Sequence, residues 1–148
     1  VRPLCFALEF RGRGAAVPGE PGRRRASTTA PSQRAWTRLG AGGVEAGVEP
    51  ADGETATLEA EVQMTGDSTF VESGRIRYGT AGAVTFRTVG EGVRGPSPIP
   101  GLVHGAVIWE VTGGEGALAG ARGLITSSFT VDARGDVVDH HVARLFLP

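Results

Sequence analysis

In the run from Thr57 to Met64, Leu58, Ala60, Val62 and Met64 alternate with Glu59, Glu61 and Gln63. Period two places the four apolar side chains on one face of an extended chain; a helix would scatter them. The pattern recurs downstream. Within 68–79, Phe70, Ile76 and Tyr78 share a parity, and Gly74 reads as a bulge between them. Within 83–89, Val84 and Phe86 alternate with Thr85 and Arg87. In 104–111, Ala106, Ile108 and Glu110 oppose Val107, Trp109 and Val111. In 136–147, Val138, His140, Val142, Arg144 and Phe146 oppose Val137, Asp139, His141, Ala143, Leu145 and Leu147. Residues 3–10 read as a first strand, and the segments flanking 40–43 as a hairpin. No segment carries a helical period. Seven to nine short strands joined mostly by tight turns imply an all-β fold, an antiparallel sheet closed as a barrel or folded as a sandwich. Closure would remove the exposed edges.

The glycine-rich stretch 113–132 offers two readings. The spacing of Gly114, Gly116 and Gly120 suggests a phosphate loop, but such a loop needs a helix after it whose N-terminus faces the phosphate. After Gly123 the chain reads Leu-Ile-Thr-Ser-Ser-Phe-Thr-Val, β-branched and alternating, and it has no Lys for a Walker-type site. The glycines are therefore read as turning the chain: a turn at 112–114, a glycine-permitted strand over 115–123, and a second turn at 133–135. No nucleotide or other cofactor is expected.

The pattern Gly114-x-Gly116-x-x-x-Gly120-Ala121-x-Gly123, followed by a Ser/Thr-containing strand, resembles a hairpin of the dirigent and allene oxide cyclase-like β-barrels. The likeness spans 114–147. Leu118 stands where those families carry an aromatic residue, and their catalytic acids and arginines match no particular residues here. The resemblance implies an eight-stranded antiparallel barrel enclosing a cavity for a small apolar ligand. Some members of those families guide cyclisation or coupling of a reactive small molecule. The end of the chain also looks like a type of small bacterial protein, which implies no chemistry.

Charge limits the partners. The net charge is −1, which gives no overall case for nucleic acid, although eight of the fifteen arginines fall in residues 1–38. No apolar stretch approaches the ~20 residues of a membrane helix, and residues 1–14 lack a secretory pattern, so a cytoplasmic protein with no membrane partner is expected. Cys5, the single cysteine, lies in an apolar run and reads as a buried structural thiol. Residues 1–148 read as one domain with a long Arg/Pro/Gly-rich loop over 12–33, the segment expected to be least ordered. Arg23-Arg-Arg-Ala-Ser27 has the look of a kinase target, but a solvated basic loop accounts for it. A homo-oligomer stays open.

Chemistry is sought on the barrel wall. Neighbouring strand residues point to opposite faces, so His140 and His141 cannot share one metal ion inside a barrel, and no metal site is expected. A His or acid on an apolar inner wall suits proton transfer, because desolvation shifts its pKa. The Pro-rich loop 94–101 leads into His104, and such loops flank barrel mouths. His104, Glu110 and Tyr78 are the catalytic candidates. Trp109, Arg75, Ser127 and His140 are the ligand-binding candidates. The function expected is binding of a small apolar ligand, with a cyclase- or isomerase-type activity open; the alternative is a structural or interaction protein with a filled core. Small residues such as Ala60, Ala106 and Ser127 favour a void, and Met64, Phe70, Phe86 and Phe129 a filled interior.

Overall fold

The alternating runs are strands. The computed structural model describes all 148 residues. Its strands are β1 (Arg2–Ala16), β2 (Arg23–Ala30), β3 (Gln33–Gly40), β4 (Gly43–Pro50), β5 (Ala56–Met64), β6 (Thr69–Tyr78), β7 (Gly82–Thr88), β8 (Gly92–Pro96), β9 (Val103–Gly116), β10 (Arg122–Val131) and β11 (Asp136–Leu147). A single 3-10 turn, Gly79–Ala81, joins β6 to β7. Eight strands close in the order β1-β2-β5-β6-β7-β9-β10-β11 and back to β1, every pairing antiparallel. The result is an eight-stranded β-barrel. Short β8 is an extra strand that pairs with the starts of β6 and β9. No helix is long and apolar enough to cross a membrane.

Alternation sends one parity of each strand inward. Phe10, Leu58, Ile76, Val84, Phe86, Trp109 and Ile125 fill the middle, each 2% exposed or less. Phe86 stacks on Trp109 at 4.2 Å, and Gly74 makes that ring's position possible, since a Cβ there would lie 2.9 Å from Phe86 Cζ. Gly74 is thus not the bulge the sequence suggested; its pairing with Ala60 is unbroken. The irregularity falls on β9, where Thr85 pairs with Gly113 and Phe86 with Val111, leaving Thr112 extra.

One barrel end is stoppered. β9 runs straight through 112–114 to Gly116, so the turn expected there lies later, at 117–121. The cause is the length of the β9 ladder with β7, which continues to the Gly82–Gly116 pair. Gly116 and Gly120 hold positive φ of 64° and 74°, and the turn folds Leu118 and Ala121 into the core. The glycine motif therefore builds a plug.

The expected 12–33 loop is mostly strand. β1 continues to Ala16 and pairs with β2 from Arg11–Thr29 to Ala16–Arg24, leaving a turn at 17–22. Its inward residues are Arg24, Ala26, Thr28 and Ala30, small or polar, so a strand is present without an apolar alternation to announce it. Cys5 is also corrected: it lies exposed on the outer wall opposite Arg144.

β3 and β4 form a separate two-stranded arm. One face carries Arg38 bonded to Glu45; the other is apolar, with Leu39 77% and Val44 71% exposed. A lone hairpin is marginal in water. Limited trypsin digestion should therefore cut first after Arg38, near the arm tip, and leave the barrel intact. A first cut at Arg23, Arg24 or Arg25 would contradict this account of β2.

Candidate functional site

At the end opposite the plug the interior is not filled. An open-ended cavity of about 200 Å³ has a wall of Leu58, Val62, Phe70, Phe129, Val131 and Val137. That is the volume of about seven water molecules. Its floor is polar: Glu72 from β6, Ser127 from β10 and Asp139 from β11. Gly101 and Val103, from the Pro-rich connection and the start of β9, stand at its rim.

The floor is a hydrogen-bonded chain. Ser127 Oγ donates to Asp139 Oδ1 at 2.7 Å, and His141 Nε2 lies 2.9 Å from Asp139 Oδ2. Asp139 and His141 sit two apart on β11 and so share its inner face. Aromatic contacts fix the imidazole: it stacks on Phe10 at 4.3 Å and meets Trp109 edge-on at 4.9 Å. With Nε2 donating to the carboxylate, Nδ1 is left buried without a partner. Trp109 Nε1 in turn donates to Glu72 Oε2 at 3.1 Å.

Two carboxyls, Glu72 and Asp139, share one largely apolar chamber. Glu72 keeps a little accessible surface through the openings beside it, yet its carboxyl is withdrawn from water. Burial first, and the negative charge of Asp139 second, push its pKa up to about 8; the Trp109 hydrogen bond opposes this only in part. Two donors reach Asp139 and one reaches Glu72. At neutral pH Glu72 is therefore mostly the carboxylic acid, a proton donor at the floor of the cavity. Ser127 is not arranged as a nucleophile, because its hydroxyl is committed to Asp139 rather than to an imidazole.

The structure distributes the sequence candidates over three places. Trp109, 1% exposed, and Ser127, 2% exposed, belong to the floor network. Tyr78 points inward but at the plugged end, edge-on to Phe6 at 5.4 Å, with burial holding its hydroxyl above the usual tyrosine range. His104, Glu110, Arg75 and His140 face outward. Glu110 is bonded to Arg87 at 2.5 Å, Arg75 to Glu115, and His140 Nε2 to Glu9 at 2.9 Å. His104 and His140 line a shallow groove on the outer wall with Ser128. Strand parity is the reason: His104, Ala106, Ile108 and Glu110 share the outer face of β9, so Ala106 leaves no void either. No three His, Cys, Asp or Glu side chains gather where they could hold a metal ion.

Glu72 and Asp139 were not among the sequence candidates; one of the two adjacent histidines was, without a choice of face, and the inward one is His141. The signal was present: Glu72 has the parity of Phe70 and Ile76, an acid on an inward face. Comparison with known proteins finds no matching family model, no matching relative and no matching solved structure.

The Glu72 shift has a consequence for stability. Unfolded, the carboxyl titrates near 4.5; folded, near 8. Between those values the folded chain holds a proton the unfolded chain has released, so stability falls as pH rises through the window and levels above it. Glu72→Gln, which cannot ionise, should be more stable than the parent at pH 7 by about 3 kcal/mol and near parity at pH 4. Denaturant titrations at both pH values measure this. A difference that does not grow with pH contradicts the assignment.

Proposed function

We propose that the barrel binds a small, mostly apolar molecule in its open-end cavity and moves a proton on it, as an isomerase- or cyclase-type protein would. One observation carries the reading: an apolar-walled cavity whose floor brings together Glu72, Ser127 and Asp139, with burial pushing the Glu72 pKa up to about 8. Apolar walls with a few convergent polar groups describe a ligand site. An acid poised near neutrality describes a proton donor or, once ionised, an acceptor. The resemblance of 114–147 to dirigent and allene oxide cyclase-like barrels points the same way and assigns no residue a role. A second reading, a barrel with a purely structural interior, is favoured by the packed layer of Phe10, Phe86, Trp109 and His141 at mid-barrel.

Trp109 donates to Glu72 and so reports on the cavity; Trp36→Phe on the exposed arm leaves it the sole tryptophan. Small cyclic ketones such as cyclohexanone should change Trp109 fluorescence in that variant and raise its thermal midpoint. Filling the cavity with Val62→Phe should abolish both effects. In D₂O, α-hydrogen exchange of bound cyclohexanone should rise with one ionisation near the Glu72 value. Exchange should fall about 100-fold or more in Glu72→Gln. Binding without Glu72-dependent exchange would leave a carrier, and no binding would leave the structural barrel.

A further inference from the structure

The rim of the cavity carries cations that no acid of the chain answers. Nine of the fifteen arginines stand within ion-pair distance of a carboxylate: Arg11, Arg13, Arg23, Arg25, Arg38, Arg75, Arg77, Arg87 and Arg134. Of the other six, Arg2, Arg34, Arg122 and Arg144 are exposed to solvent. Arg24 and Arg94 are different. Both are partly buried, and both line the cavity. Arg24 pairs with Val62 and shares the inward parity of Ala26 and Thr28; Arg94 pairs with Gly105 on the inward side of β9. The one side-chain hydrogen bond of Arg94 is a long one, donated by Nη1 to Met64 Sδ at 4.0 Å.

These two cations are not counter-ions for the floor. The Glu72 carboxyl responds to burial, to Asp139 and to Trp109, and to no arginine. Asp132, the third acid that lines the cavity, is occupied by Arg134 and by the backbone amides of Arg134 and Asp136. A partly desolvated guanidinium without an anion is costly, and two on one rim repel each other. A second unmet group lies in the same wall: Thr28 is 3% exposed, and its Oγ1 has no hydrogen-bond partner. A cavity with two guanidinium groups that lack an ion-pair partner at its mouth, an apolar wall and Glu72 on its floor runs from anion-seeking to apolar to acidic.

From this, and resting on the cavity reading above, we propose that Arg24 and Arg94 form an anion-holding rim, and that the ligand is a small apolar body carrying one anionic head, carboxylate or phosphate. Arginine's planar fork suits both heads. The anionic head stays at the rim, the apolar body lies against Val62, Phe70 and Phe129, and the far end of the ligand meets Glu72. The rim thereby fixes which atom of the ligand the acid faces.

The test compares probes of one shape. Cyclohexanecarboxylate, cyclohexyl phosphate and neutral cyclohexanecarboxamide are titrated by calorimetry against the whole chain, against Arg24→Gln/Arg94→Gln and against the charge-retaining Arg24→Lys/Arg94→Lys. The parent should bind at least one of the two anions about tenfold or more tighter than the amide, and that preference should shrink as salt is added. The head preferred identifies which anion the rim was built for. The glutamine pair should bind anion and amide equally, with amide affinity unchanged, and the lysine pair should restore part of the preference. Equal binding of anions and amide by the parent overturns the rim proposal and leaves the cavity reading standing. So does a glutamine pair that keeps the preference. If none of the three probes binds, both fall. An unchanged thermal midpoint in the glutamine pair separates lost anion binding from lost folding.

Discussion

A carboxylate taken out of water inside an apolar barrel must be given donors or lose its charge, and Asp139 is given two. Ser127 reaches it from β10 and His141 from its own strand. That commitment organises the middle of the molecule. His141 needs a flat bed, which Phe10 supplies, and an edge, which Trp109 supplies; Trp109 needs an acceptor for its indole N–H, which Glu72 supplies. Polar contacts thus tie β6 to β9 and β10 to β11, and the edge-on contact of Trp109 with His141 joins the two pairs across the interior. Removing the Asp139 carboxylate would orphan two buried donors at once, which is why such networks are costly to leave half-satisfied.

The two ends of the barrel differ because their sequences differ. At one end the β9–β10 turn folds Leu118 and Ala121 inward over Ile125, Leu145 and Leu147, all within the hydrophobic core. At the other, β2 contributes Ala26 and Thr28 where a large residue would have closed the space, and Arg24 where an apolar residue would have capped it. The cavity is the volume those small side chains leave. Its acid floor and basic rim then give it a direction, which a uniformly apolar pocket would lack.

How much of this was legible in the sequence depends on what faced inward. Strands β5, β6, β7, β9 and β11 bury an apolar set, so their alternation declared them, and with them the all-β barrel. β2 buries small and polar residues and looked like a loop; its existence is dictated by pairing with β1 and β5, which no local pattern records. The hairpin around 40–43 was legible, but not that it stands apart from the barrel, because Trp36, Leu39 and Val44 are as apolar as a core strand. At the site, parity within β6 marked Glu72 as inward. The pattern in β11 placed Asp139 with His141 and left open whether that face was the inner one. Phe146 on one face and Leu145 on the other gave no local preference; the ladders to β1 and β10 decided it. The outward fate of His104 and Glu110 was equally a matter of which face of β9 the sheet turned to the core.

The central claim is that Glu72 holds its proton at neutral pH, chiefly because its carboxyl is withdrawn from water and in second place because Asp139 lies beside it. Carbon-13 NMR of the glutamate side-chain carboxyls, with the Glu72 signal assigned by its loss in Glu72→Gln, measures this directly. The account predicts a Glu72 titration midpoint near 8 that moves down, while staying above the ordinary glutamate range, when Asp139→Asn removes the neighbouring charge. A Glu72 midpoint near 4.5 in the parent chain would contradict it, and so would one that Asp139→Asn leaves in place.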